Sequence, residues 1–226
     1  MEGSRTKLSN WFLAIYLVAT EGTSASYFSK ITGVTYKTSW LILTKIRYML
    51  SQSDADTLLL GVVKVNAAYY GRPHNPSTQL HPQEHPVLIG SSMNDHGQLE
   101  YIKIKQVQPK HMRGKLVSNV GTKVFTQQHV DPWFSSLDYV TARFSPKRFH
   151  ALLFTVAQAN RWINDTFHGL GAKHLQAYLD EFCYRLNRDL DDTPILHHIF
   201  SLCTSTRTKN YSTLIQRPAT SLQIAC

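Results

Sequence analysis

The stretch Leu58-Leu-Leu-Gly-Val-Val-Lys-Val-Asn-Ala-Ala-Tyr-Tyr-Gly71 limits what this chain can fold into more than any other. It is rich in β-branched and aromatic residues and ends at a glycine, which predicts a strand. Side chains alternate faces along a strand. One face then carries Leu59, Val63, Val65, Ala67 and Tyr69, all apolar. The other carries Leu60 and Val62, then Lys64 and Asn66. A strand this apolar is expected at the centre of a sheet, buried on both faces. Asn66 is out of place there unless something is bound to it.

Length and charge narrow the class. A chain of 226 residues makes one large domain or two small ones. The three cysteines, Cys183, Cys203 and Cys226, form neither a metal-type pair nor a disulfide framework. That predicts a reducing, cytoplasmic setting. The net charge of +9 is unevenly placed: +4 over residues 1–53, −3 over 54–100 and +7 over 101–150. Two basic zones around an acidic one suggest a polyanion partner. The alternative is a basic surface that is simply solvated. The apolar run Trp11–Ala19 is shorter than the ~20 residues a membrane span needs, so no membrane association is expected. Arg5 and Lys7 ahead of that run mimic a signal peptide, but a continuing helical pattern explains it better.

Residues 1–53 predict three helices: Asn10–Thr20 capped by Ser9, Ala25–Ile31 capped by Ser24, and one from Thr35 to about Leu50. Gly33 supplies a tight turn before the third. This is the helix-turn-helix pattern, whose last helix enters the major groove by its N-terminal end. The candidates for DNA contact are Tyr36, Lys37, Thr38 and Ser39, with Lys45 and Arg47 placed to reach phosphates. An ordinary three-helix cap with a basic face would produce the same pattern.

Ser51 to Asp56 reads as a polar linker, and residues 54–203 as a second domain followed by a tail, 204–226. The loop Arg72–Glu84 holds His74 and His81, with His85 just after it, at no regular ligand spacing. Strands are predicted at Pro86–Ser92 and Leu99–Val107. The latter has a wet basic face of Tyr101, Lys103 and Lys105. A basic link with Lys110, Arg113 and Lys115 follows, and Lys103, Lys105, Arg113 and Lys115 are further candidates for DNA contact. Thr122–Thr126 is read as a fourth strand, Pro132–Leu137 as a helical turn and Tyr139–Phe144 as a fifth strand. Helices are expected from Ser145-Pro146, over Ala172–Arg188 with Cys183 on the buried stripe, and over Ile195–Leu202. Three antiparallel strands, then helix and strand in alternation, then helices, give an α/β chain: a helix-turn-helix followed by an RNase-H-like mixed five-stranded sheet flanked by helices. Chemistry in that fold sits on the first strand, at the end of the fourth, and on a helix after the fifth. Those places fall on Asn66, Gln127 and the neighbourhood of Gln158.

Residues 166–188, TFHGLGAKHLQAYLDEFCYRLNR, resemble the C-terminal signature of a group of bacterial insertion-sequence transposases of the DDE type. LSNWFLAIYLVA with GVTYKTSWLILTKIR resembles that family's helix-turn-helix, and GVVKVNAAYYG its first catalytic strand. The family's N-terminal zinc ribbon has no counterpart here, so the likeness is to an N-terminally truncated member. It implies double-stranded DNA as partner, a possible homo-oligomer, a bacterial nucleoid-associated setting, and Mg²⁺-dependent phosphoryl transfer. Where the family reads Val-Asp-Glu the chain has Val65-Asn66-Ala67, and for Thr-Asp-Gly it offers Thr126-Gln127-Gln128. The third position, counted back from Trp162, is Gln158, or Asn160 if the register slips. Two-metal chemistry needs anionic oxygen ligands. The resemblance therefore implies a substituted triad, Asn66, Gln127 and Gln158, no retained cofactor, and a protein that binds DNA and cuts it poorly or not at all. Asp131, Asp138 and Asp165 are out of register for rescue. Two other readings are a non-catalytic helix-turn-helix regulator derived from a transposase, and a helix-turn-helix cap on an unrelated small-molecule domain.

Overall fold

The computed structural model describes residues 6–71, 78–133, 136–142 and 145–205. Arg5, His74, Phe144, Cys226 and the tail beyond Ser205 lie outside them. Among the described residues the chain is α/β, with helices α1 (Leu8–Thr20), α2 (Ala25–Thr32) and α3 (Tyr36–Ala55) leading into strand β1 (Val62–Tyr70). Strands β2 (His85–Met93) and β3 (Leu99–Gln106) follow, then a small hairpin, β4 (Met112–Arg113) with β5 (Leu116–Val117). Helix α4 (Asn119–His129), strand β6 (Ser136–Val140) and helices α5 (His150–Phe167), α6 (Ala172–Leu190) and α7 (Ile195–Ser205) complete it.

The main sheet has the order β3-β2-β1-β6. Strand β1 pairs antiparallel with β2 and parallel with β6, so the apolar stretch is central, as its composition predicts. Its two faces meet different layers. Val63, Val65 and Ala67 pack with Phe125 of α4, while Ala68 and Tyr70 pack with Leu152, Val156 and Ile163 of α5 and Leu175 and Leu179 of α6. Gly90 on β2 makes room for α4: a Cβ there would lie 2.9 Å from Phe125 Cζ. Burial on both faces holds only for the later part of the strand, because Leu60 and Val62 at its entry are exposed.

The sheet has four strands among the described residues, not five, and the fourth is not Thr122–Thr126. Those residues lie in α4, which Ser118 caps by accepting from the Gly121 N–H. Thr, Val and Phe favour a strand locally, but β propensity is weak against tertiary context. A helix here lays Phe125 over the sheet and covers its apolar face. The strand beside β1 is Ser136–Val140, which displaces both the helical turn and the fifth strand read there.

The outer edge of β3 is covered by side chains. Asn187 of α6 accepts from Ile102 N–H at 2.8 Å and donates to Ile102 O at 2.9 Å. Gln176 accepts from Gln106 N–H and donates to Ile104 O. Two amides thus take the place of a neighbouring strand and leave that edge with little to offer another chain.

The N-terminal helices follow the expected pattern with two differences: α1 begins at Leu8, so Ser9 lies inside it rather than capping it, and α3 is longer. Thr35 caps α3, accepting from Thr38 N–H, and Gly33 has φ +71°, the left-handed conformation glycine adopts easily. Helix α3 runs on to Ala55, through the supposed linker, because Asp54 is drawn into the interior by lysines on β3. Helices α1–α3 share one core with Tyr184 of α6 and with Ile199 and Cys203 of α7. Cys183 is buried, as its place on the α6 stripe predicts. Among the described residues no helix is long and apolar enough to cross a membrane.

Candidate functional site

Strands β1 and β6 run the same way, so their carboxyl ends open on the same side. In open α/β sheets that crevice is the usual place for a ligand. Here it is a cleft of about 280 Å³ lined by Ala67, Tyr69, Thr141, Arg148, Ala157 and Asn160, among others. Arg148, just before α5, donates from Nη2 to Ala67 O at 2.6 Å. Asn160, on α5, donates to Tyr69 O at 3.0 Å, and its buried Oδ1 has no hydrogen-bond partner among the described residues. Lys115 also lines the cleft; it pairs with Glu84 at 2.8 Å, and Tyr69 Oη donates to its carbonyl.

Asn66 is fully buried, and it is not waiting for a ligand. Its amide donates to Phe149 O at 3.0 Å and accepts from Phe149 N–H at 3.5 Å. This two-point contact resembles one rung of a sheet and fixes the start of α5 against β1. A carboxylate could accept from the N–H but could not donate to the carbonyl.

The three triad candidates do not meet. Asn66 faces the α5 side of the sheet with Ala68, whereas Gln127 is an exposed residue on α4, which covers the other side. Gln158 is on α5 but exposed. Of the two positions weighed for the third site residue, Asn160, the slipped-register alternative, lines the cleft. The strand end opposite Asn66 is Val140, followed by Thr141 and Ala142. Thr141, Ala142 and Arg148 were missed because Tyr139–Phe144 was read as a fifth strand. The alternation of Leu137, Tyr139 and Thr141 was the signal available. Asp131, Asp138 and Asp165 do not line the cleft.

A divalent cation does not fit this donor set. Among the described residues that line it, the cleft carries the Arg148 guanidinium, the Lys115 ammonium and the single amide of Asn160, and no carboxylate. Among the described residues no group of three His, Cys, Asp or Glu side chains is placed to hold a metal.

Three residues read as DNA contacts are held in ion pairs instead, Arg47 and Lys103 buried and Lys105 half-buried. Arg47 bonds Glu181 of α6 at 2.6 Å and Thr23 O at 3.1 Å. Lys103 is 0% exposed and pairs with Asp54 at 3.0 Å. Lys105 bridges Asp54 at 2.8 Å and Asp180 at 2.7 Å. The basic face of β3 is dry because α3 and α6 close over it and bring the matching acids. Burial pushes the Asp54 carboxyl up, but Lys105 and Lys103 outweigh it and hold it below the ordinary carboxylate range. Burial lowers the Lys103 ammonium, with Asp54 opposing. Beside this seam, burial and the two lysines hold the His129 imidazole down at about 3.

Of the α3 residues read as DNA contacts, the open ones lie in its first turn. Tyr36 is 59% exposed and Lys37 is exposed, while Thr38 is half-buried and bonded to the Thr35 hydroxyl. Ser39 is buried. Lys45 is half-buried, its ammonium 5.9 Å from the Trp11 ring centroid. The rest of α3 is a core helix packed on α2 and α6. Arg113 is exposed on the small hairpin.

The chain matches no family model and no curated protein. Among solved structures, the crystal structure of a pre-cleavage Mos1 transpososome is similar over 93% of this chain and 82% of that one, at 8% identity and a TM-score of 0.17. A likeness that weak carries no weight for fold or function.

Proposed function

We propose that this protein is a transposase-type scaffold that binds double-stranded DNA without metal-dependent cleavage. The observation that carries the reading is the strand-end cleft. Where an RNase-H-like nuclease keeps its first and second acids, this chain has Asn66, clamped to Phe149, and the segment Thr141-Ala142 after β6. On this reading the family's Thr-Asp corresponds to Thr141-Ala142, which follow the strand beside Asn66, in place of Thr126-Gln127 on α4. Arg148 adds a positive charge to the same cleft, which at contact distance opposes a divalent ion by several kcal/mol, on the order expected from Coulomb's law at an effective dielectric near 20. The net charge of +9 and the exposed Tyr36, Lys37 and Arg113 supply the affinity for DNA.

A combined binding and strand-transfer assay tests this. Duplex binding that weakens steeply with salt, with no nicking or joining in Mg²⁺ or Mn²⁺, is the expected result. Metal-dependent cleavage by the purified chain would overturn it. Preference for inverted-repeat ends marks a transposase remnant, whereas preference for a single palindrome marks a regulator.

A further inference from the structure

We infer that the pocket where α3, α4, α6 and β3 meet binds an adenine ring, either as a free nucleoside or as a base that DNA presents unpaired. The inference goes beyond the DNA-binding reading and does not depend on it.

The pocket has a volume of about 440 Å³. That lies within the range of about 300–1,000 Å³ usual for small-ligand sites. The sheet and α4 give it an apolar side of Leu88, Val107, Val124 and Phe125, against which a flat ring can be buried. Its charged groups are matched and held in place. Lys105 bonds Asp180 at 2.7 Å and Asp54 at 2.8 Å, and Gln176 donates to Asp180 at 2.8 Å and to Ile104 O at 3.0 Å. Two histidines also line it. Burial and the seam lysines hold His129 at about 3, and burial with Lys110 pushes His111 down, so both are uncharged at neutral pH. A space with polar groups and no surplus charge suits an uncharged ligand that makes hydrogen bonds.

The polar groups select the ring. Among the bases, guanine is matched by a free Arg or Lys, cytosine by a free carboxylate, and adenine by the amide of Gln or Asn, which pairs with its N6 amine and N7 together. Here Lys105 and Asp180 are spent on each other, and Gln52 of α3 and Gln128 of α4 line the pocket as exposed side chains. His129 adds a vacancy: its Nδ1 is buried and has no hydrogen-bond partner among the described residues. Leaving a buried polar atom unpaired costs free energy, which a ligand bonded to that imidazole recovers.

The full chain is titrated with adenosine, and with inosine and uridine as controls, by isothermal calorimetry and by NMR of ring-labelled histidine. Adenosine is expected to bind about tenfold more tightly than inosine, which has an oxygen in place of the N6 amine. Its affinity should be the same at low and high salt, since it carries no charge. The His111 and His129 signals should shift, and those of His96 and His150, which do not line the pocket, should stay. Gln52→Leu and Gln128→Leu, both at exposed positions, should each weaken adenosine about fivefold or more with unchanged melting. Competition by a duplex with one unpaired adenine, and not by a fully paired duplex, would uphold the site with DNA as the source of the base. Competition by neither would uphold it with a free nucleoside as ligand. No adenosine binding, equal binding of inosine and uridine, or full affinity in both leucine variants would overturn the inference.

Discussion

Two buried polar regions of this protein look alike in composition and differ in balance. At the seam between α3, β3 and α6, each buried cation faces an acid: Arg47 with Glu181, Lys103 with Asp54, and Lys105 with Asp54 and Asp180. At the strand-end cleft Arg148 and Asn160 donate to the carbonyls of Ala67 and Tyr69, and Asn66 beside it donates to that of Phe149. Desolvating a charge costs several kcal/mol unless it is matched. The seam meets that cost internally, and its role is to fix the long helix α3 to the sheet. The cleft's polar groups instead hold backbone carbonyls beside a space open to solvent.

The comparison can be broken most easily at the seam. Asp54→Ala leaves the Lys103 ammonium buried without its acid, and removing one partner of such a pair costs about 3–5 kcal/mol. Urea unfolding should show a loss of that size; a change under about 1 kcal/mol would mean that the seam is wet. The next largest effect is expected at Asn66→Asp, which sets a carboxylate against the Phe149 carbonyl. A loss of about 2 kcal/mol follows from one buried acceptor left without its donor. Mg²⁺ should not restore that loss, and a large rise in melting temperature with Mg²⁺ would show the cleft to be a metal site after all.

A smaller effect concerns acid stability. His129 is near 3 in the folded protein, where burial and the seam lysines disfavour its charge, against about 6.5 in an unfolded chain. A depressed value means that the full stability is present above about 6.5 and is lost progressively as pH falls toward the folded value. His129→Phe should therefore flatten the decline in stability between pH 6.5 and 5 by about 1–2 kcal/mol. An unaltered pH profile would show that the ring is solvated in the fold. Least of all, Tyr36→Ala and Lys37→Ala should each weaken duplex binding by only about threefold and leave stability unchanged, since each is a single exposed contact. Losses of a hundredfold there would make the first turn of α3 the dominant DNA contact rather than one of several.

The parts that the sequence made legible were those with local causes. The caps at Ser24 and Thr35, the turn at Gly33 and the apolar stripe on α6 each depend on residues within a few positions, and each is where it was read. The misread elements depended on distant partners. Ser51–Asp56 looked like a linker because nothing nearby explains Asp54; Lys103 and Lys105 explain it. Lys103 and Lys105 looked like a wet face for the same reason. Thr122–Thr126 has strand-forming residues, and only the need to cover Val65 and Ala67 makes it a helix.

The chain by itself determined that the stretch from Leu58 to Gly71 would supply a central strand, because so apolar a run has no stable place in water, and that helices would precede and follow the sheet. Tertiary structure alone decided which strand lies beside it, hence which residues share the cleft, and it decided that Asn66 answers to the backbone of Phe149 rather than to a ligand. The physical reason is range: helix periodicity and capping act over a few residues, whereas strand pairing and charge matching join positions a hundred residues apart, and no local pattern records the choice.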